Sequence, residues 1–299
     1  MLDIRMESFL AVCRNKSYTK ASEELCLTQP AITQHIQSLE RHYGSRFFEY
    51  SNRQLRFTKA GELFYKYVLN AKANEQIILQ KLSEINNAKK TLKFAATLTI
   101  GEFTLPPILS DFMNTFEEYN ITMYVDNTRT VLRMLQDGEI YFALVEGLFK
   151  KSDYDTKLYK IAPFILTAPV GHPLTSKEVV LLDDLKDETI IIRESGSGSR
   201  EVLERGLYDK NHSLGDFKNI IEIGNVNVIK EMVKSGIGLS FMYEDAVREE
   251  IRRKELTEIK IADFIIEREF NFIYLKNDIM QSDYDMFFSF FKDRVKHRR

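Results

Sequence analysis

The sequence predicts two fold classes in one chain: an all-helical head built on a helix-turn-helix with a β-hairpin wing, and an α/β body, joined by one long helix. Three observations carry this. Two capped helical stretches lie within residues 17–43, separated only by Cys26 and Leu27. Residues 59–88 contain no proline and no glycine beyond Gly61, and from Thr91 onward short apolar runs alternate with amphipathic stretches.

The first helix is expected from Met6 to Arg14, with Met6, Phe9, Leu10 and Cys13 on one stripe. Ser17 caps a second, short helix carrying Ala21 and Leu25, and Thr28 caps a third that starts with Gln29 and Pro30. In the third helix Ile32, Ile36, Leu39 and Tyr43 recur at spacings of about four, three and four, so that stripe packs inward. The opposite face presents Gln29, Thr33, Gln34, Gln37, Ser38 and Arg41, and Glu40 is the helix's one carboxylate. Amides, hydroxyls and a guanidinium suit a major groove: Gln pairs bidentately with adenine, Thr offers a hydroxyl or a methyl, and Arg takes guanine or phosphate. A plain helical hairpin would show the same inward stripe. The next segment distinguishes the two, because residues 46–50 and 54–58 are short aromatic-rich runs flanking Ser51, Asn52 and Arg53. That is a hairpin with a basic tip, placing Arg53 and Arg56 where they neutralise phosphates or enter the minor groove.

Thr58 caps the long helix, expected to run to about Ala88. Thirty residues at ~1.5 Å each span on the order of 45 Å. Its seam, Phe64, Tyr67, Ala71, Asn74, Ile78, Leu82 and Ile85, is too long for one small head to cover, so pairing with a second copy is expected, with Asn74 helping to set the register. Packing along its own chain is the other reading. A two-fold dimer reads a palindrome.

Charge divides along the same line. The whole chain of 299 residues carries −2, but residues 1–90 hold fourteen Lys and Arg against nine Asp and Glu, leaving 28 against 35 in the rest. A basic head and an acidic body fit a polyanion partner for the head alone. The charged residues Asp3, Arg5, Glu7, Arg14, Lys16 and Lys20 interrupt any signal-peptide core, no stretch reaches the length of a membrane span, and two cysteines make no disulfide framework. A cytoplasmic protein is expected. Cys13 and Cys26 are read as buried thiols of neighbouring helices rather than a redox pair.

The body begins after the junction at 86–90. Residues 91–97 read as a strand, 105–117 as a helix, 121–125 as a strand, 131–136 as a helix and 139–147 as a buried strand, an α/β order implying a mostly parallel sheet. A second unit comes next: strands at 164–169 and 187–194, a helix opening at Ser199, strands at 220–225 and 236–242 with a helix at 228–234 between them. A strand at 267–276 and a helix at 282–296 close the chain.

Residues Ser17, Tyr18, Thr19 and Ala21, then Thr28 to Glu40, Phe47 to Glu49, Leu55 to Thr58, Ala60 and Gly61 together resemble the N-terminal pattern of the LysR-type transcriptional regulators. Thr28, Thr33 and His35 depart from that pattern and bear on base preference. In the body, Ala143 to Gly147, Val170 to Leu174 and Arg193 to Glu201 resemble the branch that includes regulators of sulfur assimilation and carbon fixation, with Tyr141 standing where the family often has Asp. The resemblance implies that Gln29, Pro30, Thr33 and Gln34 approach bases, Thr19 a phosphate, and Arg53 the wing contact; Gln37 and Arg56 join them on the face already described. It also implies a two-lobed effector domain like a periplasmic solute-binding protein, of type 2. The expected domains are 1–58, a winged helix-turn-helix; 59–90, a linker and dimerisation helix; and 91–299, an effector-binding domain with lobe I at 91–162 and 267–299 and lobe II at 163–266.

Three loops then converge between the lobes. Thr97, Leu98, Thr99, Ile100 and Gly101 come after the opening strand and lead into a helix, where backbone N–H groups and two hydroxyls hold an anion. In the second loop Gly196 and Gly198 allow close approach while Ser195, Ser197 and Ser199 offer hydroxyls. The third is 225–227, opening with Asn225, and Thr128 and Glu146 stand at strand ends of the first lobe. Such loops are also ordinary turns.

Catalysis is not expected. Glu201 occupies the third glycine position of a nucleotide fingerprint, no nucleophile elbow is present, and His35, His42, His172, His212 and His297 form no metal-ligand spacing. No cofactor or metal is expected, His35 is read as facing DNA or solvent, and His172 as structural. The reading is a regulator that binds an interrupted palindrome in double-stranded promoter DNA, as a homodimer or homotetramer, and answers a small anionic metabolite in the cleft. The alternative is a solute-binding or metabolic enzyme domain with an N-terminal assembly module; a third is a DNA-binding protein without an effector, favoured if side chains fill the cleft.

Overall fold

Ser17, Thr28 and Thr58 cap three of the head's helices where the sequence places them, and the first helix begins two residues earlier than expected, at Ile4. The computed structural model describes residues 3–51, 54–85, 89–276 and 280–296. They form two compact units, residues 1–88 with 135–139 and 275–279, and the remainder. In the first, α1 (Ile4–Asn15), α2 (Tyr18–Glu24) and α3 (Gln29–Tyr43) precede the wing strands β1 (Phe48–Ser51) and β2 (Gln54–Phe57) and the long helix α4 (Lys59–Glu84). Ser17 Oγ accepts from Lys20 N at 3.3 Å and Thr28 Oγ1 from Ala31 N at 3.3 Å, each satisfying a donor that the first helical turn leaves open. Asp3 caps α1 by accepting from Arg5 N, and the Arg5 guanidinium on the same carboxylate holds it down to about 2. Gly44 ends α3 at φ 65, a left-handed conformation that glycine adopts without strain.

Ile32, Ile36 and Leu39 are buried in the head core with Phe9, Leu10, Ala21 and Val68, as their spacing requires. Tyr43 is not: it is exposed, its ring lying 4.7 Å from Phe64 at the core's edge. Phe47 stacks on Phe64 at 4.3 Å and Phe9 meets Phe64 edge-on at 4.9 Å, so an aromatic cluster ties α1 and the wing to α4. Gly61 is dictated by that junction, because a Cβ there would lie 2.0 Å from the Phe47 carbonyl oxygen.

The expected seam of α4 divides. Phe64 turns into the head's own core along with Val68, whereas Tyr67, Ile78, Leu82 and Ile85 stay exposed. A helix of this length has room for two faces, one for its own chain and one left bare. The expected end near Ala88, and the wing tip with Asn52 and Arg53, lie outside the described residues.

In the second unit, β3 (Lys90–Thr97) pairs in parallel with β4 (Tyr119–Asp126) and with β5 (Phe142–Val145). Helices α5 (Pro106–Thr115) and α6 (Thr128–Gln136) connect them, and a π-helix (Ile100–Thr104) comes shortly after β3. The strand β6 (Tyr154–Pro169) is longer than the expected 164–169 and serves both lobes. Its first half mixes Asp155, Lys157 and Lys160 with apolar residues, so no apolar run marks it. The second lobe contains β7 (Thr189–Ile192), α7 (Gly198–Asp209), β8 (Asn219–Glu222), α8 (Val226–Lys234), β9 (Ser240–Tyr243), α9 (Glu244–Arg252) and β10 (Leu256–Ile259). Of these, α9 and β10 were not expected. Then β11 (Ile266–Leu275) returns to lie antiparallel to β5, with Phe272 opposite Leu144, and α10 (Gln281–Lys296) closes the chain.

The strand order β10-β6-β11-β5-β3-β4, with β9 also on β6 and β7 pairing β8, is a mixed arrangement rather than a mostly parallel one. The long strand β6 runs antiparallel to β10 and β9, and the long strand β11 antiparallel to β5. The first lobe's core is aromatic: Phe142 stacks between Phe94 at 5.0 Å and Phe272 at 4.5 Å, with Phe287 and Phe291 of α10 against it.

Candidate nucleic-acid interface and effector cleft

The outer face of α3 is built by exclusion. Once Ile32, Ile36 and Leu39 point inward, Gln29, Pro30, Gln34 and Gln37 are left exposed, and no side-chain hydrogen bond engages the three amides among the described residues. Thr33 is half-buried and its Oγ1 donates back to the Gln29 carbonyl at 3.0 Å, which commits the hydroxyl proton within the helix and leaves the methyl as its uncommitted group. Ser38 turns away from this face to accept from Arg5 Nη1 at 3.0 Å. Glu40 is also withdrawn, accepting from Phe47 N at 2.7 Å, so the helix's one carboxylate braces the wing instead of facing a phosphate. His35 differs from expectation: it is half-buried and its Nδ1 lies 2.8 Å from Ser8 Oγ of α1, a tie within the head.

Thr19 is exposed in the first turn of α2, and Arg56 is exposed on β2 opposite Glu49. Arg53 lies outside the described residues. Cys13 is buried, and burial pushes its thiol far up; Cys26 is exposed in the turn at φ 53, which corrects the expectation of two buried thiols.

In the cleft the expected hydroxyls meet one another. Thr99 Oγ1 donates to Glu146 Oε1 at 2.9 Å, Glu146 N donates to Thr97 Oγ1 at 3.2 Å, and Thr128 Oγ1 donates to the Glu146 carbonyl at 3.2 Å. All four residues are buried, as is Ile100 in the π-helix. From the second lobe Ser197 and Ser199, both buried, hold each other at 2.9 Å. Between them Gly198 presses on the first lobe: a Cβ there would sit 2.5 Å from Thr128 Oγ1 and 3.2 Å from Gly147 Cα. Ser195 stays exposed at the rim, and Asn225 spends its side chain capping α8 by accepting from Val228 N at 3.0 Å. Thr97, Thr99, Thr128, Glu146 and Ser197 are therefore brought together; Asn225 is not.

Several cleft residues escaped the sequence reading. The π-helix carries Phe103 out of the first lobe into the apolar cluster of Ile191, Val226, Ile229 and Met242 in the second, with Lys230 Nζ 4.5 Å from the centre of its ring. Beside it Glu102, also not expected, accepts at 3.4 Å from Nδ2 of Asn227, the last residue of the expected 225–227 loop. Arg129, in the first turn of α6, brings its guanidinium against Gly196, where a Cβ would lie 3.4 Å from Cζ. A π-turn breaks helical periodicity, so no spacing rule marks Phe103.

Burial pushes Glu146 up from its ordinary 4.5 to about 8, against the pull of the Thr99 hydrogen bond and of Arg193, with Asp245 adding to the rise. Its Oε2 is buried without a hydrogen-bond partner. Asp245 itself accepts from Lys160 Nζ at 2.5 and 2.7 Å. Among the described residues no cluster of His, Cys, Asp and Glu could hold a metal ion, and no helix is long and apolar enough to cross a membrane.

Known proteins share both halves. The family model for the LysR substrate binding domain matches residues 86–296, and that for bacterial regulatory helix-turn-helix proteins of the lysR family matches residues 5–62. The chain is 28% identical to the HTH-type transcriptional regulator CysL of Bacillus subtilis over 275 residues, 90% of this chain and 89% of that one. It is 26% identical over 273 residues to the RuBisCO operon transcriptional regulator of Allochromatium vinosum, covering 90% and 88%. In fold it is similar to a full-length OxyR from Pseudomonas aeruginosa (TM-score 0.59, 19% identity, 98% of this chain and 93% of that one). It is similar as well to the regulatory domain of CcmR from Synechocystis, solved in complex with 2-PG (TM-score 0.63, 23% identity, 70% and 98%).

Proposed function

The chain belongs to the LysR family of transcriptional regulators, and from that premise we propose how its two halves work. It is a DNA-binding regulator with an effector domain, not an enzyme. Gln29, Pro30, Gln34, Gln37 and the Thr33 methyl read base edges in a major groove, Thr19 and Arg56 contact phosphate, and Arg53 supplies the wing contact. The exposed stripe Tyr67, Ile78, Leu82 and Ile85 on α4 pairs with a second copy, so that a homodimer, or a homotetramer built from two of them, reads an interrupted palindrome in promoter DNA. The protein works in the cytoplasm, where that DNA is.

The effector is a small anionic metabolite held between the lobes. Support comes from the hydroxyls of Thr97, Thr99, Thr128, Ser195 and Ser197, from the Arg129 guanidinium, and from the start of α7, where Ser197 makes no side-chain cap and leaves backbone N–H groups available. Ile100, Glu146 and Asn225 shape the walls. CcmR, which binds the small ligand 2-PG, shares this fold. A cleft shut by Phe103 is what a DNA binder without an effector would need, but a substrate-binding domain matched over residues 86–296 weighs against that reading. The effector therefore works against contacts already made, and the change in lobe angle passes through the α4 linkers to the spacing of the heads.

The observation that carries the proposal is the row of unpaired amides on α3. Selection of bound sites from a random duplex pool with the full-length protein, followed by titration of the winner at two salt concentrations, tests it. A palindromic winner with a steep salt slope is expected. No enrichment over random duplex would refute base reading by α3.

A further inference from the structure

Beyond the cleft, a second groove lies where β11 re-enters the first lobe. Its walls are the segment leaving β5, with Gly147, Leu148, Phe149 and Lys151, and the start of β11, with Arg268 and Asn271; its volume is about 300 Å³. Arg268 is the unusual member. Its Nε is buried without a hydrogen-bond partner, its one hydrogen bond is a weak donation from Nη1 to the Glu267 carbonyl at 3.4 Å, and no carboxylate pairs with it among the described residues. The Nε edge of a guanidinium is the side that grips a carboxylate with two parallel hydrogen bonds, and leaving a charged N–H buried without an acceptor costs free energy. The neighbouring charges are already spent: Lys151 pairs with Glu269, whose carbonyl accepts from Asn271 Nδ2 at 3.2 Å. With Glu267 and Glu269 at the rim, the four charged side chains cancel, so no general field gathers anions here. Directional bonding at Arg268 does the selecting. On the segment leaving β5, Leu148 is 46% exposed and Phe149 half-buried, an apolar wall in the same groove as a guanidinium that no carboxylate neutralises among the described residues.

We propose that this groove is a second ligand site, taking a small monocarboxylate with an apolar body: the carboxylate on the Arg268 guanidinium, the body against Leu148 and Phe149. The location gives such a ligand leverage. Gly147, at the end of the groove, is the residue that Gly198 of the second lobe presses on, where a Cβ on Gly147 would lie 2.7 Å from Gly198 Cα. A ligand that fixes residues 147–149 therefore acts on the lobe contact without entering the cleft.

Isovalerate is the probe. Its saturation-transfer NMR signal on the full-length protein is expected to saturate, to weaken about tenfold or more in affinity in Arg268→Gln, and to persist in Thr99→Val, which alters only the cleft. Leu148→Glu, an exposed change that brings a carboxylate to the other wall, is expected to abolish binding while the circular dichroism stays unchanged. Inorganic phosphate is expected not to compete. The proposal is overturned if isovalerate gives no saturable signal, if Arg268→Gln retains it, or if phosphate displaces it stoichiometrically. Loss in Thr99→Val with retention in Arg268→Gln would also overturn it, while assigning the ligand to the cleft.

Discussion

The outer face of α3 and the inter-lobe cleft are both rich in amides and hydroxyls, yet they are prepared for partners in opposite ways. On α3 the amides of Gln29, Gln34 and Gln37 are exposed and unpaired, so a base edge replaces water and nothing in the protein has to break. In the cleft Thr97, Thr99, Thr128 and Glu146 are bonded to one another, and Gly198 lies against them. A ligand there must exchange its own hydrogen bonds for existing ones. The difference suits the two roles: DNA is met by a fixed surface, and a metabolite is sensed by a contact that its arrival changes.

A wedge driven into the cleft disturbs the paired surface and spares the exposed one. Gly198→Val places methyls where a Cβ alone would be 2.5 Å from Thr128 Oγ1, and overpacking of this kind costs about 3 kcal/mol. The expected result is a lower urea midpoint for the sensing unit with unchanged non-specific DNA affinity. An unchanged midpoint would mean that the lobes are not in contact in solution.

Glu146 makes the stability of the cleft depend on pH. Its folded-state value, about 8, lies above its ordinary 4.5, so the folded protein holds a proton that the unfolded chain releases between those two values. Its contribution to stability is fully present below about 4.5 and is lost as pH rises through about 8. Glu146→Gln keeps an acceptor for Thr99 and removes the titration. It is expected to flatten the fall in stability over that window and to be more stable than the parent at pH 8.5 by on the order of 2 kcal/mol. A parallel fall in both proteins would place the titrating group elsewhere.

Much of the head was legible because a helix of 15 residues repeats its rule: Ile32, Ile36 and Leu39 declare the buried side and thereby the exposed one. The wing was readable from its aromatic runs, and the cleft loops from glycine and serine at strand ends. What escaped depended on contacts that spacing does not encode. Phe103 sits on a π-turn, His35 and Ser38 are withdrawn by partners on α1, and the first half of β6 is a strand whose lysines face partners rather than water, as Lys160 does toward Asp245. Tyr43 and Phe64 show the limit most clearly. Both lay on expected stripes, and each ended at the boundary between a helix's two faces, where neighbouring elements decide burial.

On α3 itself, Gln29→Ala removes a bidentate partner for adenine. It is expected to cost about 1–2 kcal/mol, roughly tenfold or more, on the selected site and nearly nothing on random duplex. Equal losses on both, measured by fluorescence anisotropy at one salt concentration, would assign Gln29 to the backbone instead.

Thr33 belongs to both the paired and the unpaired category. Its hydroxyl is committed to the Gln29 carbonyl at 3.0 Å, as the cleft hydroxyls are committed to Glu146, while its methyl is free like the neighbouring amides. Thr33→Val keeps the uncommitted methyl and gives up only the internal bond, so site affinity is expected to stay within about 0.5 kcal/mol. Thr33→Ser keeps the internal bond and gives up the methyl, and is expected to lose about 1 kcal/mol, confined to a thymine at one position of the site. The reverse order would show that the hydroxyl leaves the Gln29 carbonyl for a base when DNA binds, making α3 at this one position a surface that rearranges as the cleft does.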